Sequence, residues 1–145
     1  MRSFELSQEI PASRALAWQK LTCLDEWHQW NTLLPGGRGE LRVGAVLDLR
    51  LRGADGRCVP HCPRVVSITP PAEVTLMATF VHRRLLTMVH VVTLDELAPS
   101  RSRLRHHWTV TGLLVPLLWP SLARTLGRFI AVGDDLSAAL DLSRE

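Results

Sequence analysis

The segment that most limits what this chain can fold into is its last third. From Pro116 to about Leu140 the residues Leu118, Leu122, Leu126, Phe129, Gly133, Leu136 and Leu140 recur at intervals of three and four, which is the spacing of one helical face. Arg124, Arg128 and Asp135 fall mostly on the opposite side. The pattern predicts one long amphipathic helix, and Pro116 suits its first turn, where a missing N–H costs nothing. Such a helix has to lay its apolar stripe on something. What precedes it is mostly strand.

Ser3 to Ile10 reads as a first strand, ended by Pro11, which cannot donate to a ladder. Ser13 can cap a helix carrying Leu16, Ala17, Lys20 and Leu21 on one face, and Asp25 can cap a second, short helix carrying Trp27, His28 and Trp30. Pro35, Gly36 and Gly37 then impose a loop. Glu40 to Arg52 reads as two strands hinged at Gly44, Asp55-Gly56 as a tight turn, and Arg64 to Thr69 and Glu73 to Val81 as two more strands around Pro70-Pro71. His82 to Arg84 is a polar turn, after which Leu85 to Leu97 and Arg101 to Gly112 form a long hairpin. The expected class is α+β: a curved antiparallel sheet of about seven strands wrapped around the C-terminal helix, with two short helices after strand 1. One helix covers a concave sheet only partly, so filler side chains or a cavity must lie between them.

The chain has 145 residues, 46% of them hydrophobic, with no low-complexity tract or repeat. That fits a single domain over residues 1–145. Its formal charge of +3 comes from scattered arginines, without the clustered cationic stripe of a nucleic-acid binder. The longest uncharged stretch, Trp108 to Ala123, is broken by Pro116 and Pro120 and falls short of the ~20 residues that span a bilayer. No stable membrane insertion is expected, and the N-terminus has no apolar core of signal-peptide length, which predicts a cytoplasmic protein. Cys23, Cys58 and Cys62 cannot all pair with one another, so no disulfide is assigned.

The element order, together with Ile10-Pro11-Ala12, Trp27, Trp30-Asn31, the Gly44 strand start and the Asp55-Gly56 turn, resembles the SRPBCC (START/Bet v 1-like) superfamily. His90-Val91-Val92-Thr93-Leu94, Ser102-Arg103-Leu104-Arg105-His106-His107 and Thr111-Gly112-Leu113-Leu114-Val115-Pro116 are similar to the last strands and helix entry of its polyketide cyclase/dehydrase and lipid-transport branch. The resemblance spans essentially the whole chain and implies a helix-grip fold with a pocket for an apolar or amphipathic small molecule. Two positions depart from the pattern. Thr32 stands where Trp-Asn-Pro would have proline, and Trp108 stands where an acid often follows the first histidine of the last strand. The second departure disfavours carboxylate-based catalysis.

His90 and His106 are the candidate chemical pair. A hairpin turning about residue 98 sets them directly opposite, on the face shared with Met88, Val92, Leu104 and Trp108. Imidazoles titrate near neutrality, so one ring can accept a proton while the other donates; the plain alternative is that they only satisfy each other's burial. The expected ligand-lining set is Trp27, Trp30, Asn31, Met88, Val92, Leu104, Trp108, Leu122, Leu126 and Phe129, with Asn31 also able to pin its loop. Cys58, His61 and Cys62 make a weak metal signal, because in an extended segment His61 points away from the two cysteines and no second ligand pair follows. No metal is assigned. No nucleophile motif or phosphate-cradling loop is present, so no cofactor is expected. Two activities fit this set: binding a small hydrophobic or aromatic molecule, or a cofactor-independent cyclase/dehydratase reaction with His90 and His106 as acid and base. A third role rests on the apolar run Leu113 to Trp119, which as a cavity mouth, a dimer contact or a membrane-touching edge would serve interaction.

Overall fold

The computed structural model describes residues 1–80 and 82–142. In chain order it contains β1 (Arg2–Ile10), α1 (Arg14–Thr22), a 3₁₀ turn (Leu24–Glu26), α2 (Trp27–Trp30), β2 (Gly36–Arg38), β3 (Asp48–Arg52) and β4 (Cys58–His61). There follow β5 (Arg64–Thr69), β6 (Glu73–Thr79), β7 (Thr87–Ala98), β8 (Arg101–Thr111), α3 (Val115–Gly127) and α4 (Ile130–Leu142). Five strands form one antiparallel sheet in the order β1-β8-β7-β6-β5, and three form a second in the order β2-β3-β4. Val46 bridges Arg64, and the amides of Leu47 and Val65 donate to Pro63 and Ala45 at 2.8 Å. The chain just before β3 thus pairs with the start of β5 and joins the two sheets. The result is the expected α+β arrangement of a curved antiparallel surface under a C-terminal helix.

Several details differ from the sequence expectation, each for a local reason. Glu40 to Gly44 is a turn rather than a strand: Gly44 has φ +89° and Ala45 donates back to Arg42. The strand instead forms at Gly36–Arg38, where a loop was expected. There a Cβ on Gly37 would lie 3.2–3.3 Å from Leu49, Leu24 and Trp27, so this glycine admits close packing rather than a turn. Cys58–His61 forms a further strand, making eight. Asp25 sits inside the 3₁₀ turn and caps nothing, whereas Ser13 does cap α1, its Oγ accepting from the Leu16 amide at 3.2 Å. Val81, the expected end of the fifth strand, lies outside the described residues.

The C-terminal helix is split at Arg128-Phe129. Arg128, Phe129, Ala131 and Val132 donate to carbonyls three residues back, at 3.0–3.1 Å. This 3₁₀ tightening offsets α4 from α3 and leaves Phe129 buried at the joint. Two neighbouring acids then hold α4. Asp134 accepts from Gln8 Nε2 of β1 at 2.9 Å, and Asp135 accepts from the amide and hydroxyl of Thr32, at 3.0 and 2.6 Å.

Gly112 joins β8 to α3 at φ +127°, and a Cβ there would run into the carbonyl of Leu85. The adjacent amides of Leu113 and Leu114 donate to Arg84 and Leu85 at 3.0 and 2.9 Å, fixing this corner. Gly112→Val is expected to destabilise the protein by about 2–4 kcal/mol through backbone strain and the clash. The check is the urea midpoint, which an innocent glycine would leave unmoved.

Candidate functional site

Strand alternation in β8 turns Ser102, Leu104, His106, Trp108 and Val110 toward the helix, all of them buried. Arg103, Arg105, His107 and Thr109 take the other face, where Arg105 Nε meets Asp95 Oδ2 at 2.8 Å. The pairing with β7 is not the simple one. A bulge between Glu96 and Ala98 shifts the register, so that His90 lies opposite Trp108 and His106 opposite Val92. The two histidines are therefore diagonal rather than direct neighbours. That offset suits an in-line contact, with His90 Nε2 and His106 Nδ1 2.9 Å apart.

The pair is enclosed by aromatic rings. Trp108 stacks on His90 with centroids 4.4 Å apart and planes 15° off parallel, and Phe129 meets His90 edge-on at 5.6 Å and Trp108 at 5.1 Å. Burial disfavours the charged imidazole. It lowers His106 to about 4 and takes His90 well below the ordinary value, with the nearby His106 and His61 adding to the effect on His90. At neutral pH both rings are neutral, so one donates to the other. Their free nitrogens, His90 Nδ1 and His106 Nε2, then always have opposite character, one a donor and one an acceptor. His106 Nε2 is buried with no hydrogen-bond partner among the described residues.

His90 lines two adjoining chambers and His106 one of them. The inner one, of about 60 Å³, lies among Leu21, Trp27, Leu49, Val92, His106 and Val132. The outer one, of about 190 Å³, lies among Leu51, Met88, Trp108, Leu122 and Leu126, with the partly exposed Val59 and Phe80 at its rim. His61, Leu76, His90 and Phe129 border both. A larger groove of about 400 Å³ among Asp25, His28, Arg38, Asp48 and Arg50 is an open polar cleft on the surface.

Of the expected lining residues, Trp27, Val92 and Phe129 border the inner chamber, and Met88, Trp108, Leu122, Leu126 and Phe129 the outer. Trp30, Asn31 and Leu104 border neither. Leu104 is fully buried beneath the sheet face and Trp30 packs against the core. Asn31 pins its own loop, its Oδ1 accepting from the Leu34 amide at 2.9 Å. Sequence reasoning missed His61. Extended β4 turns it inward opposite Leu49, while Cys58 and Cys62 stay exposed, and no group of three or more metal-type ligands converges among the described residues. In the run Leu113 to Trp119, Leu113 and Leu117 are exposed and Val115 is buried. No helix among the described residues is long and apolar enough to cross a membrane.

No protein-family model and no curated protein matches the chain. Solved structures do. A START superfamily protein from Mycobacterium smegmatis superposes with a TM-score of 0.75 at 15% identity, covering 97% of each chain. Norcoclaurine synthase from Thalictrum flavum gives 0.67 at 14%, covering 99% of this chain and 96% of that one. The di-domain ARO/CYC protein BexL gives 0.65 at 14%, covering 94% of this chain and 48% of that one. Identities this low carry the architecture alone. With the curved sheet, the two early helices and the covering C-terminal helix all in place, the chain has the helix-grip fold of the SRPBCC, or START/Bet v 1-like, superfamily.

Proposed function

We propose that this protein binds a small, mainly apolar molecule, about one aromatic ring in size, whose polar group meets the His90–His106 pair. The observation that carries the reading is the buried, unpartnered Nε2 of His106, a residue that lines the inner chamber among mostly apolar side chains. A buried polar atom left without a partner costs about 1–3 kcal/mol, and a ligand oxygen or nitrogen there would offset that cost. Size narrows the ligand. An apolar cavity of roughly 150 Å³ holds benzene, so the outer chamber's 190 Å³ suits one ring and the inner chamber's 60 Å³ a substituent. Even together the chambers are below the ~300 Å³ at which drug-sized pockets begin, which favours a ring compound over a lipid or an extended polyketide.

A second reading has its own support in the opposite character of the two free nitrogens. A pair that accepts a proton at one end and donates at the other can move an enolisable proton without gaining net charge. The occurrence of the fold in an ARO/CYC protein and in norcoclaurine synthase makes a cyclase/dehydratase-type reaction the natural enzyme class to test.

Native mass spectrometry of protein purified from its own source, followed by denaturing extraction, is expected to release a one-ring compound. Substituting both histidines with glutamine keeps hydrogen bonding but removes titration, and should weaken retention of that compound. Turnover of it by the wild type and not by H90Q/H106Q would establish the enzyme; binding without turnover would establish the carrier. A protein that co-purifies empty and binds no single-ring compound overturns both.

The same pair sets a pH dependence. The unfolded chain protonates its histidines near pH 6.5, but the folded His106 resists until about pH 4, so the unfolded state binds more protons in between. The stability is complete above pH 6.5 and is lost as pH falls toward 4, by about 3 kcal/mol for His106 alone. Urea midpoints across that window are expected to fall more steeply for the wild type than for H90Q/H106Q. Parallel curves would show that the rings are not buried as neutral groups.

A further inference from the structure

His61, His90 and His106 are the titratable side chains in the walls of the two chambers; no Asp, Glu, Lys or Arg among the described residues of the surrounding β3, β4, β6, β7, β8, α1, α3 and α4 lines either. The wall threonines are already committed, Thr22 Oγ1 donating to the Trp18 carbonyl at 2.7 Å and Thr125 Oγ1 to Ser121 at 3.2 Å. His61 and His90 border both chambers, so an imidazole of the small sheet and one of the large sheet stand at the boundary the two share. They are close enough that a charge on His61 opposes a charge on His90. A protonated imidazole here finds no carboxylate of the protein to balance it, and an unbalanced buried charge is costly.

We propose that the cavity takes a small aromatic carboxylic acid, whose carboxyl group lies among His61, His90 and His106 and whose binding takes up one proton from solvent. This rests on the reading of the chambers as a ligand site and names the ligand class. A carboxyl group answers both protonation states of the pair. As the acid it can donate to an acceptor nitrogen or accept from a donor nitrogen of a neutral ring; as the carboxylate it accepts from a ring that has gained a proton, and the ion pair is neutral overall. Either arrangement holds one proton more than the free carboxylate and the free neutral pair together, so binding at neutral pH consumes that proton wherever it resides. A ketone or ether brings acceptors only, and a neutral amide brings both but no charge to balance a protonated ring. The ring fits the outer chamber and the carboxyl group the inner, past His61.

Benzoate and benzamide have nearly the same shape and differ in charge, and titration calorimetry of both against the whole wild-type protein, in two buffers of different ionisation heat, needs no variant. Benzoate is expected to bind with uptake of one proton, its affinity rising about tenfold for each unit as pH falls from about 8 to about 6, while benzamide binds with no pH dependence. His61→Leu should weaken benzoate by about tenfold more than it weakens benzamide, the scale of one charge-assisted hydrogen bond. Benzoate that binds without proton uptake, or fails to bind where benzamide does, overturns this inference and leaves the ligand site standing. Failure of both compounds overturns the ligand site and this inference with it.

Discussion

A curved antiparallel sheet has a concave apolar face that water must not reach, and here that face is closed by a helix set to one side. α3 and α4 pack against β1. Gly133 brings α4 so near that a Cβ would collide with Gln8, and a Cβ on Gly127 would lie 3.7 Å from the Phe4 ring. Asp134 and Asp135 fix the same placement with hydrogen bonds to β1 and to the loop after α2. The helix fills the β1–β8 side of the trough, where Phe4 meets Trp108. The side bounded by β3, β4 and β6 is left with less to fill it. The chambers are the geometric remainder of that offset, not a separate device.

The same packing sets the chemistry of the wall. Stacking against Trp108 and Phe129 keeps water from His90 and His106, and burial holds the rings uncharged. In water an imidazole pair would exchange protons freely with solvent. Inside this wall the hydrogen bond found for each ring among the described residues is the one to the other ring. The 3₁₀ joint matters for that enclosure, because it is the splitting of the helix that puts Phe129 at the boundary of both chambers.

Much of this was legible in the sequence, and the parts that were not share a cause. The period-two pattern of β8 and the three-four pattern of the last helix are one-dimensional signals of burial, and they placed Leu104, His106, Trp108, Leu126 and Phe129 inside. Gly36 and Gly37 carried a turn signal but form a strand, where Gly37 lets Leu24, Trp27 and Leu49 close in, a long-range requirement that local propensity does not encode. His61 sat between two cysteines and two prolines, which drew attention to metal chemistry; only the pairing of β4 with β3 shows which way its ring points. Asn31 was conspicuous by its likeness to a family position, yet its amide serves the loop.

One inserted residue near the tip of the β7–β8 hairpin has an effect far from where it lies. The turn pairs Ala98 with Arg101, and if that count ran on unbroken, His90 would face Thr109 and His106 would face Thr93. Paired residues share a side and neighbours alternate, so the two imidazoles would then sit on opposite surfaces of the sheet, one inside and one in solvent. The bulge at Leu97 restores them to the same side. Strand register, set near a solvent-facing hairpin tip, thus decides whether this trough contains a hydrogen-bonded pair of imidazoles or a solitary ring, and a one-residue change of register there would switch the interior between the two without altering any residue that lines it.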